Sequence, residues 1–282
     1  MQAWHQKTLL DSDTQLNIFI ADISEFPPHW HEAVEVVYIL DGNLKIGVNS
    51  EIYTLNSGDI LLINGGDVHY FLPNCLNVKR IILHFEMSYF EAFTTMVKSK
   101  RFKEVLFKPP IEKIEGINPH QIIEKQMLNI FSEYNNKNEG YKLAMKARLF
   151  DIMVILIRYI PTETYSFNEM ASHLKRLERL DQVFQYVEDN HDKNITLVEI
   201  ASVANFSIYH FTRFFKEATG MTFGQYLNNY RVSKAIEYFS QKDNSVTEVA
   251  FLTGFGSIRT FNRVFKQVKG YSPSAFIKTK ID

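Results

Sequence analysis

The sequence predicts a two-domain α+β protein: an N-terminal β-barrel or jelly roll with packed helices, then an all-α domain built on two helix-turn-helix units. Three observations carry this. Residues 14 to about 85 hold short β-branched and aromatic runs with no helical pattern between them. Residues 196–270 contain one short pattern written twice. Charge is divided unequally: up to residue 170 there are 16 Lys and Arg against 21 Asp and Glu, a net −5, whereas from 171 onward there are 15 against 11, a net +4.

Leu16–Ile20, Val34–Leu40, Leu44–Val48, Glu51–Leu55, Ile60–Ile63 and Arg80–Phe85 read as strands. Asp41-Gly42, Asn49-Ser50, Ser57-Gly58-Asp59 and Gly65-Gly66-Asp67 punctuate them. From about Met87 the pattern turns helical, with Tyr89-Phe90, Phe93, Met96 and Val97 in one segment and Phe102 with Val105-Leu106-Phe107 in a short second one. Pro109-Pro110 ends it. Asn118-Pro119 then opens a helix carrying Ile122-Ile123, Met127, Ile130-Phe131 and Tyr134, since Pro suits a first helical turn. A second helix follows from Tyr141 to Ile160, with Leu143, Ala147, Phe150, Val154 and Ile157 as its expected buried stripe. The two form an antiparallel hairpin. Pro161–Ser172 lacks periodicity and reads as a linker; a helix from about Leu174 to Glu188 opens the second domain.

The duplicated pattern runs Thr196–Ala201, Phe206–Lys216 and Gly220 in the first copy, and Ser245–Ala250, Phe255–Lys266 and Gly270 in the second. Thr196 with Glu199 and Ser245 with Glu248 have capping-box spacing, and Ser207 and Ser257 suit the N-caps of the second helices. In those helices Ile208, Phe211 and Phe215, and Phe261, Val264, Phe265 and Val268, fall on an apolar face. The opposite face carries Tyr209, Thr212, Arg213 and Lys216 in one copy and Arg259, Asn262, Arg263 and Lys266 in the other. Such a stripe suits a DNA major groove, because Arg pairs bidentately with guanine and Asn with adenine. A solvated helix face is the alternative, and the repetition argues against it. Between the copies, Thr222 and Gln225 predict another capping box, starting a helix through Tyr226, Tyr230, Val232, Ala235 and Phe239 that would set the two units relative to each other.

These residues resemble the tandem helix-turn-helix of AraC/XylS-type transcriptional regulators over about the last 110 residues, including Gly254-Phe255, Phe261–Lys266 and Gly270–Ser274. The resemblance implies double-stranded promoter DNA as partner, a small-molecule effector such as a sugar, RNA polymerase recruitment by an activator, and a homodimer formed through the hairpin. Lys216 and Lys266, a turn further along their helices, suit phosphate better than bases. Ile258 stands where the family sometimes carries a base-reading polar residue.

In the first half, His29-Trp30-His31, Glu35 and Gly42 fit H-x-H-x3-E-x6-G, and Gly58, Gly66 and His69 fit G-x7-G-x2-H. Together they resemble the two motifs of the cupin barrel, whose metal-binding members use two His, one Glu and a later His. Asn64 replaces a usual Pro, Pro73 a usual Asn, and the first motif's leading Gly is absent. Three imidazoles and a carboxylate can hold a divalent metal, the basis of an enzyme reading. The preferred expectation is an effector pocket with no metal, cofactor or catalytic residue. There His29, His31, Glu35, Tyr38 and His69 would converge inside a cupin-like barrel, with Trp30 stacking on the effector. A third alternative is a constitutive DNA-binding protein whose barrel only dimerises.

The expected divisions are therefore a barrel over 1–110, a dimerising hairpin over 111–160, a linker over 161–173 and a DNA-binding domain over 174–282. At 282 residues, with 45% hydrophobic and 22% charged residues, the chain can build two cores. Its one cysteine, Cys75, excludes an intramolecular disulfide. Residues 1–7 lack the apolar core of a signal peptide, and the apolar run Ile152–Ile157, bounded by Asp151 and Arg158, is too short for a membrane span. A cytoplasmic location is expected.

Overall fold

The computed structural model describes residues 10–21, 26–72, 78–90, 100–103, 106–109, 116–241 and 244–278. Cys75, the N-terminal residues and the segment expected to be helical at Phe93, Met96 and Val97 lie outside them.

Alternation along the strands builds the first half. Strands β1 (Leu16–Ala21), β8 (Lys79–Phe85), β3 (Val34–Asp41), β6 (Ile60–Ile63) and β10 (Leu106–Phe107) form one antiparallel sheet in that order. Strands β2 (Phe26–His29), β7 (His69–Phe71), β4 (Asn43–Val48) and β5 (Glu51–Asn56) form a second. Successive side chains on a strand point to opposite faces. On β3, Val37 and Ile39 therefore point between the sheets with Leu61, Ile63 and Ile82, to meet Leu44, Ile46, Leu55 and Phe71. Val34, Val36 and Tyr38 point the other way. That outer face is covered by α1 (Pro119–Asn136) and α2 (Tyr141–Tyr159), whose Ile123, Met127, Ile130, Leu149, Ile152 and Leu156 are buried on it. Each fully buried aliphatic side chain contributes about 1.5–3 kcal/mol. Gly47 is required where it stands: a Cβ there would lie 2.0 Å from the Tyr70 ring that crosses it.

Several local expectations are corrected. Pro27 and Pro28 disguised β2, which tolerates them as an edge strand. Phe102 and Leu106-Phe107 are in strands and not in a helix: β9 (Lys100–Phe102) pairs with β11 (Thr162–Thr164), and β10 with β6. The helix expected from about Leu174 begins earlier: after β11 the 24-residue helix α3 (Phe167–Asn190) starts at a capping box of Ser166 and Glu169. On α2 the expected stripe is split: Phe150 and Ile157 are half-buried and pack against the core, whereas Leu143, Ala147 and Val154 are exposed. This helix is apolar on most sides, so periodicity alone did not settle which face is buried.

In the second half, α4 (Leu197–Val203) with α5 (Ile208–Thr219), and α7 (Val246–Leu252) with α8 (Ile258–Lys269), are the two helix-turn-helix units. Both capping boxes form, Thr196/Glu199 and Ser245/Glu248. Helix α6 (Phe223–Gln241) starts with Thr222 and Gln225 bonded reciprocally, at 2.8 and 3.3 Å. Its Tyr226 and Tyr230 enter the core of the first unit, and its Val232 and Ala235 that of the second. One rigid rod therefore spaces both units. A short helix, α9 (Pro273–Lys278), closes the fold with Phe276 against Phe265. Among the described residues no helix is long and apolar enough to cross a membrane.

Candidate functional site

Two sets of residues came forward from the sequence, and the structure treats them differently. On α5, Phe211 and Phe215 are fully buried, while Tyr209, Thr212, Arg213 and Lys216 are all exposed on the far side. On α8, Phe261, Val264 and Phe265 are buried, while Arg259, Asn262, Arg263 and Lys266 are exposed. The N-cap hydroxyls of Ser207 and Ser257 accept from the amides of His210 and Thr260, at 3.3 and 3.2 Å, so each helix begins where its stripe begins. Ile208, expected in the core, is exposed at its helix start, as is Ile258 at the matching place. The stripes differ in one respect: Arg213 Nε donates to Glu217 Oε1 at 2.7 Å, whereas Arg259 makes no ion pair among the described residues.

The second set meets inside the barrel. His29 on β2 is the direct cross-strand partner of His69 on β7, and Glu35 on β3 is that of His84 on β8. His31 follows β2. Ligand atoms of His29, His31, Glu35 and His69 all lie within 4.8 Å of one another. The Nδ1 atoms of the three histidines donate to the carbonyls of Pro27, Ala33 and Asp67 at 3.0, 2.8 and 2.9 Å. A carbonyl only accepts, so these bonds fix the N–H on Nδ1 and turn Nε2 toward the centre. Glu35 Oε2 receives His84 Nε2 at 2.8 Å and lies 3.2 and 3.4 Å from Nε2 of His31 and His69, while its buried Oε1 has no hydrogen-bond partner.

The electrostatics follow from burial and the lone carboxylate. Burial pushes His29 well below the usual imidazole value, and it pulls His31 down to about 4 despite the Glu35 carboxylate beside it. Burial also opposes charge on His69 and Glu35, but their mutual attraction outweighs it: His69 is raised and Glu35 is held well below the ordinary carboxylate range. Charge is therefore favoured on His69 and Glu35 and disfavoured on His29 and His31, whose Nε2 lone pairs turn toward the same centre. This donor set, with its unpartnered Oε1, fits a divalent transition cation held by His29, His31, Glu35 and His69, with His84 orienting the carboxylate.

The centre is closely packed. His29, His31, Glu35, His69 and His84 are each at most 4% exposed. His84 escaped the sequence reading; only the β3–β8 register brings it opposite Glu35. Two expected pocket residues are elsewhere. Tyr38, of opposite parity to Glu35, points out of the barrel and donates to Glu124 Oε1 at 2.5 Å. Trp30 faces the second half: it packs with Val68 and Tyr70 against Leu177 and Leu180 of α3, and its Nε1 donates to Asp181 at 2.7 Å.

Comparison with known proteins agrees with both halves. An AraC-like ligand binding domain matches residues 20–153, and a helix-turn-helix domain matches residues 200–279. The uncharacterized HTH-type transcriptional regulator YdeC of Bacillus subtilis is 25% identical over 89% of this chain and 86% of its own length. A Staphylococcus aureus regulator of the same description, SACOL0084, is 26% identical over 85% of this chain, which spans only 30% of that longer protein. ToxT of Vibrio cholerae aligns over 96% of this chain and 98% of its own, at 14% identity and a TM-score of 0.46. With a ligand-binding barrel of the AraC type ahead of two helix-turn-helix units, the chain belongs to the AraC/XylS family of DNA-binding transcriptional regulators.

Proposed function

We propose that this regulator reads a promoter with α5 and α8 in two successive major grooves and changes its transcriptional output when a small metabolite binds. The observation that carries the reading is the pair of exposed polar stripes, Tyr209, Thr212, Arg213 and Lys216 on one helix and Arg259, Asn262, Arg263 and Lys266 on the other, spaced by α6. Arg259, Asn262, Arg213 and Arg263 meet base edges, Tyr209 and Thr212 a thymine methyl or a phosphate, and the two lysines phosphates. The protein acts in the cytoplasm as an activator of carbohydrate or related metabolite genes, through contact with RNA polymerase. It works as a homodimer; the outward row of Leu143, Ala147 and Val154 on α2 supports α2 as the contact.

The test is binding of purified protein to its own upstream DNA at two salt concentrations, with and without a panel of sugars and sugar phosphates. Saturable binding that survives competitor DNA and shifts with one compound is expected. Absence of specific binding under every condition overturns the reading.

The closed barrel centre favours a second role beside this one. A divalent cation held by His29, His31, Glu35 and His69 would cross-link β2, β3 and β7 and neutralise the buried carboxylate. Stoichiometric metal in purified protein, lost on His69→Ala, is the expected result; metal-free protein of unchanged stability after metal addition speaks against it.

A further inference from the structure

A cleft of about 380 Å³, within the range of small-ligand pockets, is walled on one side by Asn49, Ser50, Gly66, Asp67 and Val68 of the barrel. The other wall is His173, Arg176, Leu177 and Leu180 of α3 with Glu217 and Ala218 of α5. Arg101 and Tyr165 close one end. Most of its polar wall is already committed. Asp67 accepts both Arg101 Nη2 contacts, at 2.9 and 2.7 Å, and Asn49 Nδ2 at 2.9 Å, while Arg101 Nη1 donates to Tyr165 at 2.7 Å. These bonds make a preorganised frame.

Arg176 is the exception. Its guanidinium lies over the Phe214 ring, 5.8 Å from the centroid, and makes no ion pair among the described residues. Around it stand Ser50, His173 and Glu217, able to exchange hydrogen bonds with hydroxyl groups, above an apolar floor of Val68, Leu177, Leu180 and Ala218. Its acidic neighbour Glu217 feels its charge but is bonded to Arg213, so the guanidinium keeps donors for a carboxylate or phosphate, and the mixed donors and acceptors beside it call for hydroxyls.

We infer that this interdomain cleft binds a small hydroxylated anion, with its carboxylate or phosphate on Arg176 and its hydroxyls on Ser50, His173 and Glu217. The inference rests on the ligand-responsive reading above and gives it a place and a ligand class. Because both halves supply walls, the anion is held only while they are docked, and its binding stabilises that arrangement. The connection to DNA is short. Glu217 lines the cleft and also holds Arg213 of the first recognition stripe. The barrel rests on the end of the same helix, where a Cβ on Gly220 would lie 2.7 Å from the Tyr70 hydroxyl.

The experiment is calorimetric titration of the full chain with inorganic phosphate, D-gluconate and neutral D-glucose at constant ionic strength, on wild type and Arg176→Ala. Saturable binding of phosphate or gluconate, absent with glucose and weakened about ten-fold or more in R176A, is expected, since the charge-assisted hydrogen bonds to the anion are lost. Which anion binds more tightly separates a phosphate from a carboxylate ligand. A thermal melt checks that R176A is folded, which its exposed side chain favours. Failure of both anions to bind, or equal binding by a folded R176A, overturns the inference. Promoter binding without any anion is measured in parallel, so loss of the cleft claim is distinguishable from loss of the regulator reading.

Discussion

Arg259→Ala tests the proposed readout most sharply, because the structure isolates this side chain. Arg259 is the second residue of α8, beside the Ser257 cap, at the helix end that enters the groove, and it is exposed without an intramolecular ion pair among the described residues. Nothing in the fold depends on it, so the substitution should leave the melting temperature unchanged. A bidentate arginine–guanine contact is worth about 1–3 kcal/mol, or roughly 5- to 150-fold in affinity. The loss should fall on one or two base positions of the operator. Arg213→Ala should cost less than Arg259→Ala, because Arg213 must first release Glu217 before it can meet a base. The assay is competition binding with every single-base variant of the operator, for wild type and both variants. A uniform loss across all sequences, with the salt dependence reduced by about one phosphate contact, would refute base reading by Arg259.

Three further predictions concern the barrel and its neighbours. In protein stripped of divalent cations, lowering pH from 6.5 protonates His31 in the unfolded chain first, since burial holds its folded value at about 4. Stability therefore falls through that window, by roughly 3 kcal/mol at most. His29 adds to this fall, whereas the raised His69 gives a contribution that is present at low pH and lost as pH rises through its folded value. Urea titrations at pH 7 and 4.5 should show a smaller pH effect in His31→Gln; an unchanged effect contradicts this assignment. Trp30→Ala, which removes a buried ring and its bond to Asp181, should cost about 3–5 kcal/mol. It should open the Ser166 region to proteolysis while the DNA-binding helices keep their circular dichroism; a resistant variant argues against Trp30 as the clasp. Leu143→Glu should shift the protein from dimer to monomer in analytical ultracentrifugation, and an unaffected dimer would remove α2 from the contact.

Legibility in the sequence followed the locality of the physics. The helix-turn-helix pair was readable because caps, turns and apolar faces are set by residues within a few positions of one another: Thr196 with Glu199, Ser245 with Glu248, Phe211 with Phe215. The barrel motif brought His29, His31, Glu35 and His69 together by resemblance. His84 could be found only from the register of β3 against β8, which no local signal encodes. Tyr38 was avoidable, because an even position on β3 cannot share a face with Glu35. Trp30 was not: its neighbours lie about 150 residues away, at Leu177 and Asp181. The early start of α3 was written in Ser166 and Glu169, a capping box hidden in a stretch that otherwise reads as loop.

The measurement that bears most directly on the account is a hydroxyl-radical footprint of the full chain on its upstream DNA. Two protected patches on one face of the duplex are predicted, about one helical turn or ~34 Å apart, one vanishing in a Tyr209/Arg213 double alanine variant and the other in an Arg259/Asn262 one. A single patch indifferent to one pair, or protection that spreads without sequence preference, would contradict reading by both helices.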